Sequence, residues 1–235
     1  MTGFVNSIQS LGGADGPGIR FCVFLQGCNL RCGCCHNPDT WKIQSGTEYT
    51  AEEIAKKAER YKEYFADKGG ITLSGGEPLL QAEFSREIFA LCKDTGINTC
   101  LDTSGSILNE KVKALLEETD RVLLDIKYTA PEQYPKHVGC ELERVMEFLE
   151  YLNCQKIPTV IRQVIIPGLN DNKENLKRLS EIKKSHKCVE EIEPLPFKKM
   201  CSSKYENLSI PFAFENIPEP SATKMEEFKE FLKNL

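Results

Sequence analysis

The segment from Cys28 to Asn37 holds the residue types with the clearest chemistry in this chain. Cys28, Cys32 and Cys35 follow the spacing C-x3-C-x2-C. A [4Fe–4S] cluster normally takes four thiolate ligands, one for each iron, so three cysteines on one short loop would leave one iron without a protein ligand. An iron of this kind can bind a substrate or cofactor. The spacing therefore indicates a cluster that takes part in catalysis rather than one that only carries electrons.

Zinc is the competing interpretation of the same loop. A structural zinc ion is usually held by two Cys pairs, or by a Cys pair and a His pair, in a closed tetrahedron. Cys34 and His36 could be recruited as ligands, but the side chains of adjacent residues in a tight loop diverge. The spacing favours iron–sulfur chemistry, and a metal analysis would separate the two interpretations.

The composition argues against several classes of protein. The chain has 235 residues, of which 40% are hydrophobic, and this is enough for one sizeable core. A formal net charge of −5 with no long basic tract argues against a nucleic-acid partner. Neither a run of ~18 apolar residues nor a signal-peptide pattern occurs, so no membrane span and no export are expected. The eleven cysteines then indicate metal ligation and reduced thiols in the cytoplasm.

Short β-rich runs alternate with helical patterns along the whole chain. Strands are predicted at residues 21–25, 70–73, 98–101, 122–124, 159–166 and 189–192. Helices are predicted at residues 50–65, 81–95, 109–118, 141–155, 172–185 and 221–234, with an irregular stretch at residues 194–220. A capping box of Thr50 and Glu53 opens the first helix. The alternation predicts an α/β fold with a parallel sheet, and six βα units are too few for a full eight-stranded barrel.

Polar motifs lie at the carboxyl ends of the predicted strands, where parallel sheets bind ligands. They are Ser74-Gly75-Gly76-Glu77-Pro78, Asp102-Thr103-Ser104-Gly105, Asp125-Ile126-Lys127 and Arg162. Each also has a structural interpretation, since Gly-Gly and Asp-Thr-Ser are ordinary turn sequences and Asp125 could form a simple ion pair with Lys127. Arg162 needs a carboxylate partner, which a bound ligand, Asp125 or a structural ion pair would supply.

Three stretches of the chain carry a resemblance to a known superfamily. They are Asp15-Gly16-Pro17-Gly18-Ile19-Arg20, Gln26-Gly27-Cys28 and Cys35-His36-Asn37-Pro38-Asp39-Thr40-Trp41. With these motifs the chain resembles the radical S-adenosylmethionine (SAM) superfamily, and more narrowly the activating enzymes of glycyl radical enzymes. The resemblance covers essentially the whole chain. It implies an open, partial (β/α)6 barrel of the TIM type in one domain over residues 1–235, in agreement with the six predicted βα units.

The resemblance also implies a reaction. In that family the open iron of a [4Fe–4S] cluster binds the amino and carboxylate groups of SAM, and reductive cleavage releases a 5′-deoxyadenosyl radical. The radical removes a Cα hydrogen from a glycine of a partner glycyl radical enzyme. The chain is thus expected to be an oxidoreductase and a monomer, with flavodoxin or ferredoxin as electron donor.

The identity of the partner depends on one missing segment. Several other activases insert a ferredoxin-like module between the positions of Cys35 and Gly75, and the lack of cysteines there favours pyruvate formate-lyase as the partner. The alternatives are a different glycyl radical enzyme, a radical SAM reaction on a small molecule, and a non-catalytic zinc module.

The family motifs imply roles for individual residues. Cys28, Cys32 and Cys35 would hold the cluster, and Asp102 and Thr103 would coordinate a monovalent cation beside SAM. The residues expected around SAM are Cys34, His36, Asn37, Gly75, Gly76, Glu77, Asp102, Asp125, Ile126, Lys127, Arg162 and Lys198. The motif that contains Glu77 would hold the amino group of the methionine moiety. Asp15, on a glycine-rich loop that suits a mobile lid, would lie with His36 near the incoming glycine.

Two positions depart from the family pattern. The residue before the third cluster cysteine is usually aromatic and packs near the adenine, but this chain has Cys34. We expect Cys34 to be a small filler and not an alternative ligand. Where activating enzymes often carry a histidine near SAM, this chain has Lys198, which could contact the ribose or the carboxylate.

Overall fold

A computed structural model describes residues 1–234 and contains two compact units. The first unit comprises Met1–Asn29 and Thr40–Leu123, and the second comprises Leu30–Asp39 and Leu124–Leu235. Both have an α/β architecture. The cysteine motif is divided between them, because Cys28 belongs to the first unit and Cys32 and Cys35 belong to the second. The predicted extent of one domain over residues 1–235 stays a prediction.

The first unit begins with an antiparallel strand pair and continues with parallel strands. Its strands are β1 (Thr2–Gly12), β2 (Arg20–Leu25), β3 (Thr47–Thr50), β4 (Gly70–Gly75), β5 (Asn98–Thr103) and β6 (Arg121–Asp125), whose last residues pass into the second unit. Its helices are α1 (Ala51–Glu59), α2 (Lys62–Phe65), α3 (Ala82–Asp94) and α4 (Glu110–Glu117). The strand order is β3-β1-β2-β4-β5-β6. β1 runs antiparallel to β2 and β3, whereas β2, β4 and β5 are parallel.

The second unit continues the alternation from the end of β6. Its strands are β7 (Thr159–Ile165) and β8 (Val189–Pro196), and its helices are α5 (Gln133–His137), α6 (Leu142–Gln155), α7 (Lys173–Ser185), α8 (Ser202–Leu208) and α9 (Ala222–Lys233). β7 is parallel to β8, and α9 packs against β8 and α7. Met225 and Phe228 of α9 join Ile165 in a buried apolar cluster. Within residues 1–234, no helix has the length and apolar character needed to cross a membrane.

The α/β alternation predicted from the sequence is confirmed. The six predicted helix starts agree to within a residue, and a capping side chain marks the start of α1, α4, α7 and α9. Thr50 and Glu53 form the predicted capping box, and the Ser221 hydroxyl accepts the N–H of Lys224 at the start of α9. The parallel pairing within each unit confirms the predicted sheet type.

Three features differ from the sequence prediction. The helix predicted at residues 50–65 is interrupted, because α1 ends at Glu59 and α2 begins at Lys62. The stretch 194–220, predicted to be irregular, contains the end of β8 and the helix α8. The prediction also lacks β1, β3 and the short helix α5. Most side chains of β1 are partly or fully exposed, so its sequence lacks the apolar run that marks buried parallel strands.

A fully buried arginine holds the amino ends of the parallel strands in the first unit together. The side chain of Arg20 is 0% exposed, and its Nε donates to the hydroxyl group of Thr72 (3.0 Å). Its Nη1 donates to the side-chain oxygen of Asn98 (2.9 Å). The terminal nitrogens also donate to the backbone carbonyl groups of Lys68, Ile71 and Asn98. A guanidinium group is tolerated in a core only when its donors are satisfied in this way.

Replacing Arg20 with Ala should lower the free energy of unfolding by about 3 kcal/mol, because the variant leaves buried acceptors unsatisfied. Arg20→Lys should recover only part of the loss, since an ammonium group lacks the planar fork of donors. Denaturant unfolding would measure both. Arg86→Ala, at an exposed position of α3, is the matched control and should change stability by less than about 0.5 kcal/mol. An Arg20→Ala variant as stable as this control would contradict the argument.

Candidate active site

The loop that follows β2 is fixed by backbone hydrogen bonds up to the first cysteine. The N–H of Gly27 donates to the carbonyl of Thr40 (2.7 Å), and the N–H of Cys28 donates to the carbonyl of Trp41 (3.4 Å). The carbonyl of Gly27 in turn accepts the N–H of Glu77 (2.8 Å). The loop that carries Cys28 is therefore bound directly to the turn after β4.

Both glycines of the turn after β4 are required by the backbone. Gly75 has a φ of +104°, in the region that favours glycine. A Cβ atom on Gly76 would lie 2.1 Å from the carbonyl oxygen of Gly27, which no side chain permits. The close approach expected from the Gly-Gly sequence is thus made to the chain's own cysteine loop.

The carboxylate of Glu77 is buried and is occupied by donors of its own unit. Its Oε1 accepts hydrogen bonds from the Thr103 hydroxyl and the Leu79 N–H, and its Oε2 accepts from the N–H and hydroxyl of Ser104. Burial raises the pKa of Glu77, and the bonds from Ser104 and Thr103 oppose this shift. A carboxylate has about four acceptor sites, so these bonds fill its capacity. In this structure Glu77 positions the turn between β4 and β5, and its expected contact with the amino group of SAM stays a prediction.

The two residues expected at a monovalent cation site lie at the carboxyl end of β5. The Oδ2 of Asp102 accepts a hydrogen bond from the hydroxyl group of Ser74 (2.7 Å), at the end of β4. Thr103 donates its hydroxyl to Glu77. The structure therefore brings the polar motifs of β4 and β5 together in the first unit, as predicted from the strand ends, and cation binding stays a prediction.

Asp15 lies in the loop before β2, and its contacts are with residues inside β2 and the neighbouring strand β4. Its carbonyl accepts a hydrogen bond from the Thr72 hydroxyl (2.7 Å), and its Oδ2 lies 3.4 Å from the sulfur of Cys22. The same loop packs tightly at Gly18, where a Cβ atom would lie 2.6 Å from the nitrogen of Gly69. The loop is an anchored turn in this structure, and its motion as a lid stays a prediction.

In the second unit, the middle of the cysteine loop is held from the side of α5. The N–H groups of Arg31 and Gly33 donate to the carbonyl groups of Val138 and His137 (3.0 and 2.9 Å). A Cβ atom on Gly33 would lie 2.6 Å from the ring of Phe214, so the aromatic ring packs directly on the backbone. Sequence analysis missed Phe214, because nothing local connects it with a loop so far away in the chain.

The end of the cysteine loop is held by α8. The hydroxyl group of Tyr205 donates to the carbonyl of Cys35 (3.0 Å). The ammonium group of Lys204 donates to the side-chain oxygen of Asn37 (2.9 Å) and pairs with Asp39 (3.0 Å). Asn37, expected to contact SAM, thus has a structural partner in its own unit. Sequence analysis missed Lys204 and Tyr205 because it treated their segment as irregular.

His36 and Lys198, both expected near SAM, contact one another. The Nε2 of His36 lies 2.9 Å from the carbonyl oxygen of Lys198. Because a carbonyl only accepts, this contact requires a proton on Nε2. The ammonium group of Lys198 is half-exposed and pairs with Glu219 (2.7 Å). The contact of Lys198 with SAM stays a prediction.

The side chain of Cys34 is buried, unlike those of the three cysteines in the C-x3-C-x2-C motif. Cys34 is 6% exposed, whereas Cys28, Cys32 and Cys35 are all partly exposed. Burial raises the pKa of Cys34 to about 11, although Lys127 opposes the shift. The group is therefore a neutral thiol near pH 7, which supports its expected role as a small filler.

Asp125 and Lys127 form the ion pair that their spacing allowed. Burial by itself would lower the pKa of Lys127, but the carboxylate of Asp125 opposes this shift and holds the pKa well above its usual value. Lys127 therefore remains a charged ammonium group even though it is largely buried. This fixes one positive charge beside the cysteine loop of the second unit.

A network of buried amides holds the backbone around Lys127, and sequence analysis missed it. Gln163 and Asn170, each 1% exposed, donate to the carbonyl groups of Ile126 (3.0 Å) and Lys127 (3.2 Å). The N–H of Lys127 donates to the hydroxyl oxygen of Tyr134 (3.1 Å). An amide side chain at a buried position of an apolar strand, as at Gln163, was the signal that could have revealed the network.

Arg162 has its carboxylate partner on the neighbouring strand. Its Nε lies 3.5 Å from a carboxylate oxygen of Glu193 on β8, and the side chain is 12% exposed. The structural ion pair considered for Arg162 is therefore present.

The donor set fits an iron–sulfur cluster in its chemistry. Three partly exposed thiols at C-x3-C-x2-C spacing are the ligands such a cluster takes, and the buried, neutral Cys34 does not compete with them. Among residues 1–234, no three His, Cys, Asp or Glu side chains are already gathered as a metal site.

The fold and the cysteine loop match a known class of enzymes. Residues 22–179 match the Radical SAM superfamily. The structure of Streptococcus suis SuiB bound to S-adenosylmethionine superposes with a TM-score of 0.70 at 13% identity, over 88% of this chain and 44% of that chain. A domain of a pyruvate-formate lyase-activating enzyme from Bacteroides vulgatus ATCC 8482 superposes with a TM-score of 0.58 at 24% identity, over 71% of this chain and 94% of that chain. The chain belongs to the radical SAM superfamily, which confirms the predicted fold type.

Within this superfamily, sequence identity indicates a narrower family. The chain is 43% identical to the pyruvate formate-lyase-activating enzyme of Clostridium pasteurianum over 234 residues, which cover 99% of this chain and 98% of the relative. It is 39% identical to the pyruvate formate-lyase 1-activating enzyme of Escherichia coli (strain K12), over 98% of this chain and 95% of the relative. The chain belongs to the family of pyruvate formate-lyase-activating enzymes. It is thus a radical SAM enzyme with a [4Fe–4S] cluster and SAM as cofactors, as predicted.

Replacing Glu77 with Gln should lower the free energy of unfolding by about 1–3 kcal/mol, because the new amide group sets a donor against the donors of Ser104 or Thr103. The lost hydrogen bonds are between residues of the protein itself, so urea unfolding should detect the loss of stability in the absence of SAM. Glu83→Gln is the matched control, since Glu83 forms an exposed ion pair with Lys111, and it should cost less than about 0.5 kcal/mol. Equal stability of the two variants would refute the structural role of Glu77.

Proposed function

We propose that this chain activates pyruvate formate-lyase by removing a Cα hydrogen from one of its glycine residues. The observation that carries the proposal is the identity of about 40% to activating enzymes of that name over nearly the whole chain. When bound, the cluster and SAM supply the radical chemistry. Glycine suits the reaction because its Cα radical is stabilised by the flanking amides and no side chain obstructs the approach.

Cys28, Cys32 and Cys35 are proposed as the cluster ligands. The spacing and partial exposure of the three thiols support this assignment. The N–H of Cys35 donates to the carbonyl of Cys32 (3.1 Å), which closes a turn between these two residues. The backbone braces from α5 and α8 then hold the turn in place, so that assembly of the cluster need not order the loop.

The residues proposed to contact SAM are each fixed within their own unit. In the first unit, the residues proposed to contact SAM are Asp102 and, in the turn after β4, Gly75, Gly76 and Glu77. Asp102 is also proposed to coordinate a monovalent cation together with Thr103. In the second unit, the fixed ammonium group of Lys127 is suited to a carboxylate. The other residues proposed around SAM in the second unit are Cys34, His36, Asn37, Asp125, Ile126, Arg162 and Lys198.

The partners follow from the chemistry of the site. A low-potential cluster needs a one-electron donor, for which we propose flavodoxin or ferredoxin, and a reducing compartment, for which we propose the cytoplasm. Asp15 and His36 are proposed to lie near the incoming glycine loop. The chain is proposed to act as a monomer.

Anaerobically reconstituted protein should bind about four irons per chain, and Cys28→Ala, Cys32→Ala and Cys35→Ala should each lose most of this iron, because each removes a thiolate from the set of three. Two matched controls exist in the chain. Cys34→Ala removes a buried neighbour, and Cys154→Ala removes an exposed thiol on α6. Both should retain iron. Loss of iron in Cys34→Ala with retention in Cys35→Ala would overturn the ligand assignment, and stoichiometric zinc in place of iron would overturn the cluster.

The proposed function is tested by incubating reduced protein and SAM with pyruvate formate-lyase under anaerobic conditions and recording EPR spectra. We expect a glycyl radical signal that depends on both SAM and the cluster, and 5′-deoxyadenosine as product. Deoxyadenosine formation that requires a different glycyl radical enzyme, or a small molecule in place of any protein, would refute pyruvate formate-lyase as the substrate.

A further inference from the structure

Three buried side chains of the second unit bind the backbone immediately beyond β6. Gln163 on β7 donates its Nε2 to the carbonyl of Ile126 (3.0 Å), and Asn170 donates its Nδ2 to the carbonyl of Lys127 (3.2 Å). The hydroxyl oxygen of Tyr134 accepts the N–H of Lys127 (3.1 Å). Each of the three side chains is 1% exposed. We call Tyr134, Gln163 and Asn170 the Lys127 clamp, since they hold the backbone on both sides of the Lys127 Cα atom.

The Lys127 clamp begins where the strand ends. The N–H of Ile126 still donates to the carbonyl of Arg162 on β7 (3.1 Å), as in a parallel ladder. From the carbonyl of Ile126 to that of Lys127, side chains bind the backbone in place of a neighbouring strand. Burying amide and hydroxyl groups costs free energy unless each is hydrogen-bonded, and aliphatic side chains would fill the same space without that cost. What the polar clamp adds is a fixed conformation of the backbone at Lys127.

One end of the amide network dictates the orientation of its other members. Because the carbonyl of Ile126 only accepts, Gln163 must turn its NH2 group toward it, and the Oε1 of Gln163 then accepts from Asn175 (2.7 Å). The Oδ1 of Asn175 in turn accepts the hydroxyl proton of Thr129 (2.7 Å). Reversal of one amide would oppose two donors or two acceptors, so the buried network has a single arrangement.

Asn170 is fixed by its own loop as well as by Lys127. Its Nδ2 also donates to the carbonyl of Val164 (2.8 Å), and its Oδ1 accepts the N–H of Ile166 (2.7 Å). Both hydrogens of the NH2 group and the carbonyl oxygen are therefore in use. Because rotation of the Asn170 side chain would break these bonds, the carbonyl of Lys127 is held by a donor that is itself fixed.

The Lys127 clamp sets the direction in which one ammonium group leaves the backbone. Lys127 lies just beyond the carboxyl end of β6, and parallel α/β sheets bind their ligands at that edge. Its ammonium group pairs with Asp125, and 16% of the lysine side chain is exposed. A lysine has a long, flexible stem, so a set direction at Cα and a fixed partner are both needed to hold its charge in one place.

We propose that Tyr134, Gln163 and Asn170 are positioning residues for SAM, and that they act by holding the Lys127 ammonium group where it meets the carboxylate of the cofactor. The inference rests on the proposed contact of Lys127 with SAM and not on the identity of the partner enzyme. At 1% exposure, none of the three side chains has the surface needed to touch a ligand, so an effect on SAM must pass through the backbone that they hold. A charge preorganised in this way binds without the cost of ordering a flexible side chain.

Tyr134→Phe removes one oxygen atom of the Lys127 clamp, and Gln163→Leu removes its amide group at nearly constant volume. In reconstituted protein with the cluster kept oxidised, so that SAM is bound but not cleaved, each should weaken the affinity for SAM about threefold to tenfold in calorimetric titrations, because a displaced ammonium group loses part of a charge-assisted hydrogen bond. The affinity for 5′-methylthioadenosine should stay the same. This probe has the adenosine of SAM without the amino-acid moiety, so a general disturbance of the fold would weaken both ligands.

A double-mutant cycle separates positioning from structural support. Lys127→Met should weaken the affinity for SAM about tenfold or more by removing the charge. If the clamp acts through Lys127, adding Gln163→Leu or Tyr134→Phe to Lys127→Met should cause no further loss. Thr159→Val is the matched control, because the Thr159 hydroxyl is equally buried and donates to the carbonyl of Ile157 (2.9 Å), but at the amino end of β7. It should lower stability in urea unfolding and leave the affinity for SAM unchanged.

Wild-type affinity for SAM in folded Tyr134→Phe and Gln163→Leu would overturn the proposal. Losses that add to that of Lys127→Met, or that extend equally to methylthioadenosine, would overturn it too, because the clamp would then support the site as a whole. If Gln163→Leu fails to fold, Tyr134→Phe decides the question, since it leaves the core volume almost unchanged. Unchanged affinity in Lys127→Met would refute the contact with SAM and the proposal with it. Binding is measured without a partner enzyme, so a failed activation of pyruvate formate-lyase does not alter these outcomes.

Discussion

The contact between Gly27 and Gly76 is the constraint on which the site of the first unit depends. The two backbones are so close that no side chain fits at Gly76, and the next N–H, that of Glu77, donates to the Gly27 carbonyl. Gly27 directly precedes Cys28, and the Glu77 carboxylate is bound to residues at the end of β5. The position of the first cysteine is therefore tied to two strand ends at once. A single methyl group at position 76 would push the cysteine loop away from β4.

The second unit positions its part of the site by another means. The segment 30–39 has little regular structure, and its backbone groups need partners from elsewhere. α5 and α8 supply them. Near Lys127, buried amides pass hydrogen bonds from Thr129 through Asn175 and Gln163 to the carbonyl of Ile126. Such a network is favourable only when every member is satisfied, so it holds the segment beyond β6 in one conformation.

The parts of the fold that depend on neighbours in sequence could be predicted, and the parts that depend on distant residues could not. The capping box of Thr50 and the polar strand ends at Asp102 and Asp125 are local signals. The occupation of the Glu77 carboxylate depends on Ser104, which is 27 residues away. The hydrogen-bond partners of Glu77 therefore cannot be predicted from the sequence of the turn.

The contacts that support the cysteine loop also join residues far apart in the sequence, so they could not be predicted. Lys204 contacts Asn37 across 167 residues. The exposed pairing of Lys198 with Glu219 likewise depends on a contact that no periodic pattern encodes. Even so, the cysteine spacing favoured an iron–sulfur cluster over zinc, because the ligands that a cluster takes from one short loop are a local signal. The family of the chain confirms the [4Fe–4S] cluster.

The bracing of the cysteine loop by Lys204, Tyr205 and Phe214 has a consequence for biosynthesis. A chain leaves the ribosome amino end first, so the cysteines emerge early and the residues that support their loop emerge near the end of translation. Throughout that interval the part of the loop that these three residues support, from Gly33 to Asp39, lacks their contacts. Cofactor insertion into a correctly shaped loop is therefore a post-translational event, and a ribosome stalled before α8 releases a polypeptide that has the cysteines but lacks the support for their loop.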